Sequence, residues 1–129
     1  MVRALFFVAA LYDGVLGVAF LVAPAAVFSG FGVTPPNHWG YVQFPAALLV
    51  TFALMFLTVA RDPEGNRNLI PYGVLLKLSY CGIVFGYWFA AGIPGMWKPF
   101  AVADLAFLLL FVWAYATIAP AAGGRASAA

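Results

Sequence analysis

Three side chains in this sequence carry charge where charge is costly: Asp13, Lys77 and Asp104 each lie inside a long apolar run. At the centre of a membrane helix an ionisable residue costs about 2.5–3.5 kcal/mol on insertion scales, so such groups turn inward and find partners. Once there they lock helices together, line a pocket for a ligand, or hand on protons and ions. Depth, at ~1.5 Å per residue, says which of them meet. Asp13 lies about nine residues from the Arg3 end of its run, and Lys77 about eight residues from the same side of its own. The two therefore form the first expected ion pair. Asp104 lies about five residues from the far end of the last run, ~10 Å further out, where the flexible lysine stem can stretch towards it.

The neighbouring polar groups extend the set. Gly73, Lys77, Tyr80, Val84 and Trp88 share one stripe at i, i+3/i+4 spacing. On that stripe Tyr80 falls between the depths of Lys77 and Asp104, in position to bridge them. Ala9, Asp13 and Gly17 form a stripe of small residues that lets a long side chain approach. Gln43 opens the second run at about the depth of Asp104 and offers an amide that both donates and accepts. The candidate intramembrane cluster is thus Asp13, Gln43, Lys77, Tyr80, Trp88 and Asp104. Two carboxylates against one ammonium leave an excess negative charge that a single proton would cancel, which is the lead for proton-coupled function.

The elements that must hold these residues follow from composition. Of 129 residues, 66% are hydrophobic and only 8% charged, with a mean hydropathy of +1.02. Soluble domains carry roughly 25% charged residues, and ten charges cannot cover a core of this size. Composition excludes an ordinary soluble enzyme and, lacking a basic patch, a nucleic-acid binder. One cysteine, Cys81, excludes an internal disulfide, and His38 alone cannot build a multi-histidine metal or haem site. No serine stands in a catalytic motif with His38, so no catalytic residue is assigned.

Four apolar stretches, about residues 4–22, 41–60, 69–90 and 99–118, are each near the ~20 residues that cross a hydrocarbon core as a helix. The expected fold is all-α, an antiparallel transmembrane four-helix bundle over residues 1–118, followed by a flexible tail at 119–129. The connector 23–40 is apolar and rich in Pro and Gly, and predicts an interfacial turn or short helix. Arg3, Arg61, Arg67 and Arg125 fall on one side and Lys98 alone on the other, which predicts both termini in the cytoplasm. Trp39, Tyr41, Trp88 and Trp97 gather at the opposite interface as an aromatic belt. A cleavable signal ending near Ala23-Pro24-Ala25 is the competing reading of the N-terminus. Asp13 in mid-run argues for a retained helix. Gly82 and Gly86 make a GxxxG on the third stretch. Such a motif packs a neighbouring helix of the same chain or forms a seam between copies, and the intrachain reading is favoured.

The landmarks together resemble a known group. They are Tyr12-Asp13-Gly14, Leu21-Val22-Ala23-Pro24, Gln43, Ala60-Arg61-Asp62-Pro63, Gly73-Val74-Leu75-Leu76-Lys77 and Asp104-Leu105-Ala106-Phe107. This pattern resembles the small bacterial four-helix membrane proteins described as DoxX-like, over most of residues 4–118. The resemblance implies the bacterial inner membrane and an association with quinone or thiol redox chemistry beside other subunits. With no paired cysteines the thiol role carries over badly. A quinone or another hydrophobic ligand would find donors and aromatic walls in Gln43, Lys77, Tyr80 and Trp88.

The first expected function is a small non-enzymatic membrane protein. It acts as an accessory subunit or binds a hydrophobic small molecule at the Asp/Lys/Tyr cluster. The alternatives are a proton-coupled transporter or channel and a quinone-linked oxidoreductase component. Expected partners are the bilayer and either a second copy through Gly82 and Gly86 or a larger membrane complex.

Overall fold

A computed structural model of the chain describes residues 1–120. Most of the expected tail, 119–129, lies outside the described residues. All regular structure among the described residues is helical. Helix α1 spans Val2–Val22, the short α2 spans Pro24–Gly30, α3 spans Gly40–Arg61, α4 spans Ile70–Ala90 and α5 spans Lys98–Thr117. Single 3-10 turns at Arg67–Leu69 and Gly95–Trp97 lead into α4 and α5. With those turns included, four helices among the described residues are long and apolar enough to cross a membrane, at 21 to 24 residues each. The chain thus reads as a multi-pass membrane protein.

Proline punctuates the helices. Pro24 has no N–H to give the carbonyl of Phe20, so α1 stops at Val22. The same proline opens α2, and α4 and α5 also carry a proline in their first two positions, where the missing donor is no loss. The connector 23–40 therefore folds back as a helix of 7 residues. It buries Phe28, which meets Trp39 and Trp97 edge-on at 5.1 and 5.9 Å.

Helix α1 packs most intimately against α3, and α4 against α5. Gly17 permits the first contact: a Cβ there would lie 2.8 Å from the carbonyl oxygen of Ala46. Hydrogen bonds mark which ends meet. Arg3 donates to the carbonyl of Arg61 at 2.8 Å, and Arg67 Nε to that of Tyr115 at 3.1 Å. At the other end Gln43 Nε2 donates to the carbonyl of Leu21 at 3.1 Å.

Two apolar layers fill the interior. One gathers Phe6, Phe56, Val59, Ile70 and Phe111, with Phe6 stacked on Phe111 at 4.7 Å and Phe56 tilted against it at 5.1 Å. Gly73 makes room for this layer, since a Cβ there would meet Phe56 at 2.7 Å. The other layer holds Phe20, Phe28, Ala46 and Met96, with Trp39, Trp97 and Phe100 packed around them. On α1 the first layer takes Phe6 and Ala9 and the second takes Phe20. Asp13 sits between them.

Candidate functional site

Between the two layers α1, α4 and α5 each deliver one charged side chain. Lys77 is fully buried, Asp13 is 1% exposed and Asp104 is 7% exposed. The lysine ammonium donates to both oxygens of Asp13, at 2.8 and 3.0 Å, and to Oδ1 of Asp104 at 2.9 Å. An ammonium has three N–H donors, and here three carboxylate oxygens surround it, the two of Asp13 close enough together to share one N–H. The rings of Phe107, Tyr12 and Phe56 surround the nitrogen at 5.2, 5.5 and 5.8 Å. Those distances bring it within cation–π range of three faces. Asp13 and Lys77 are 64 residues apart in sequence, and their bond ties α1 to α4 where few backbone contacts join the two helix pairs.

Asp104 meets the lysine directly, without an intermediary. The span that carries it opens at Gly95, in the 3-10 turn, rather than at Pro99. Asp104 is therefore about two and a half turns deep, level enough with Lys77 for a direct bond. Its side chain is 10% exposed, and only Oδ1 is bonded to the lysine.

The other three candidates are engaged elsewhere. Tyr80 does not bridge the triad: its hydroxyl donates to the carbonyl of Trp97 at 3.0 Å, tying α4 to the turn before α5. Gln43 satisfies Leu21, one of the last carbonyls of α1, which has no partner within its own helix. Trp88 stacks with Phe85 at 5.6 Å and with Phe89 at 5.7 Å, the three rings forming one cluster. Lys98 lies over the Trp88 ring at 5.0 Å. The six candidates thus divide into a triad and three separate contacts.

Tyr12 belongs at the site although the helix stripes passed over it. It precedes Asp13, about 100° round α1 from that stripe. Its ring tilts against Phe107 at 5.3 Å, and its buried hydroxyl oxygen has no hydrogen-bond partner among the described residues. Cys81 is buried, with its thiol 3.6 Å from the carbonyl of Ala101. Among the described residues no group of His, Cys, Asp and Glu is arranged to hold a metal ion. Gly82 and Gly86 were expected against a neighbouring helix of the chain. They instead face outward, and a Cβ at either would meet nothing within 4 Å.

Two hollows of about 590 and 500 Å³ open on the surface. The first is lined by His38, Gly40, Tyr41, Phe44 and Pro45, the second by Arg3, Ala4, Phe7, Leu57, Ala60 and Arg61. Neither is lined by the triad. No family model matches the chain, and neither a curated protein nor a solved structure matches it.

Proposed function

We propose that this chain is a small non-enzymatic integral membrane protein acting as an accessory subunit. In this reading it is DoxX-like and sits in a bacterial inner membrane as an antiparallel bundle with both termini in the cytoplasm. The triad is then its internal lock. One observation carries this: the buried Lys77 ammonium is held by three carboxylate oxygens, two of Asp13 on α1 and one of Asp104 on α5. A buried charge so fully paired holds register between helices, and Gln43, Tyr80 and Trp88 are likewise committed to contacts within the chain. What supports a partner is the outer face of α4. Gly82 and Gly86 leave a strip with no side chain and no neighbour, where another helix backbone approaches closely.

The test is native-gel migration of the chain solubilised mildly from its own membrane. The reading expects a species larger than the single chain, lost with Gly82→Leu/Gly86→Leu while the bundle stays folded. A chain that migrates as a monomer, or an assembly indifferent to both leucines, overturns it.

A second reading, proton-coupled transport, is favoured by one feature: beside the paired lysine stand the second oxygen of Asp104, not bonded to it, and the Tyr12 hydroxyl, without a partner among the described residues. It expects a pH-driven flux in liposomes that Asp104→Asn abolishes and Tyr12→Phe slows. Flux unchanged by both variants removes it.

A further inference from the structure

The geometry points to a second site, unrelated to the triad: a binding notch for one anionic phospholipid between the start of α1 and the end of α3. The hollow of about 500 Å³ there is lined by Arg3 and Arg61 and by the apolar side chains of Ala4, Phe7, Leu57 and Ala60. Its residues fall at i, i+1, i+4 on α1 and at i, i+3, i+4 on α3, so both helices turn one face to the groove.

Both arginines line the one hollow. Arg3 donates to the carbonyl of Arg61, so one helix start and one helix end, each with a guanidinium, are tied at 2.8 Å. Neither arginine has an ion-pair partner among the described residues, where the only ion pairs are those of Lys77. The other two cations at helix ends are already covered. Arg67 stacks over the Tyr115 ring at 3.8 Å, and Lys98 lies over Trp88 at 5.0 Å. Arg3 and Arg61 are left lining one hollow without an ion-pair partner among the described residues, and two cations facing one groove attract an anion into it.

The chemistry of the walls selects which anion. Guanidinium forks match phosphate oxygens two at a time. Below them the notch offers only apolar side chains, with Phe7 half-exposed towards the surrounding medium. A free phosphate gains nothing from that floor, whereas an acyl chain lies along it. A basic pocket between membrane helices at the level of the headgroups fits such a lipid. The charge of one phosphate balances the pair better than a zwitterionic headgroup does, so the occupant is a phosphatidylglycerol-type lipid.

The experiment is native mass spectrometry of the purified full chain in a neutral detergent, titrated with dioleoyl phosphatidylglycerol or dioleoyl phosphatidylcholine. The inference expects one phosphatidylglycerol held about tenfold more tightly than phosphatidylcholine. Each of Arg3→Gln and Arg61→Gln weakens it about fivefold, at roughly one surface-lipid charge contact each. Arg67→Gln, whose guanidinium is stacked on Tyr115, changes it less than about twofold. The double variant Arg3→Lys/Arg61→Lys keeps the charges and retains most of the preference, so lost binding is not lost fold. Equal binding of the two lipids, or an Arg67→Gln effect as large as that of Arg3→Gln, overturns the site in favour of diffuse attraction. Displacement of the lipid by equimolar inorganic phosphate overturns the lipid assignment.

Discussion

Lys77→Met removes the one cation that two buried carboxylates share. Both carboxylates lie within 3.0 Å of the same nitrogen, so their bonded oxygens are at most about 6 Å apart. At an effective dielectric of about 20, two unit charges at ~6 Å repel by about 3 kcal/mol. Loss of the ammonium also leaves three hydrogen-bond acceptors without a donor. Breaking a buried pair by removing one partner costs about 3–5 kcal/mol in general, and the shared geometry puts this variant at the upper end of that range. Asp104→Asn is far milder, about 1 kcal/mol, because Lys77 keeps both bonds to Asp13. The triple variant Asp13→Asn/Lys77→Met/Asp104→Asn, which has no charge left to strand, recovers most of the loss. Reversible unfolding by dodecyl sulfate titration in mixed micelles measures all three. A Lys77→Met cost no larger than that of Asp104→Asn refutes the shared-cation reasoning, as does a triple variant less stable than Lys77→Met.

Other consequences are open to the same measurements. Gly17→Ala drives a methyl to 2.8 Å from the Ala46 carbonyl and 3.0 Å from Val50. It is expected to cost about 1–3 kcal/mol, whereas Gly82→Ala, facing open space, leaves the unfolding of the monomer unchanged. Tyr80→Phe removes the bond to the Trp97 carbonyl and is expected to cost about 1 kcal/mol; no loss would mean that the carbonyl finds another donor. Single cysteines at Gly65 and Gly92, in a Cys81→Ser background, report the orientation of the helices. A membrane-impermeant maleimide added to sealed right-side-out vesicles labels position 92 and spares position 65, and the reverse pattern inverts the proposed topology.

The triad was legible in the sequence because charge in lipid is expensive and helix rise turns residue number into depth. That reasoning brings Asp13 and Lys77 to one level whatever the details of packing. Depth counted from Pro99 sets Asp104 too far out, because Gly95–Trp97 already winds a 3-10 turn into α5, but the expected reach of Lys77 to Asp104 is met by the 2.9 Å bond. Gln43, Tyr80 and Trp88 share the triad's neighbourhood by depth or stripe, yet each answers a local demand that hydropathy does not encode. Gln43 meets the orphan carbonyl left where Pro24 ends α1, Tyr80 meets a backbone carbonyl in a turn, and Trp88 meets the rings beside it on α4. The outward aim of Gly82 and Gly86 was hidden for a related reason. A glycine pair marks where backbones can approach, and only the packing of α4 on α5 decides which face is left over.

The long separation between Asp13 and Lys77 also has a history written into it. As the chain is synthesised, α1 enters the membrane with its carboxylate long before the cation 64 residues later exists. The close fit of α1 on α3 at Gly17 lets the first hairpin assemble in that interval. It does so with one unanswered charge at its centre, costing about 2.5–3.5 kcal/mol. Arrival of α4 discharges that debt in a single step. A chain cut before Lys77 is left with the Asp13 carboxylate unpaired among apolar neighbours.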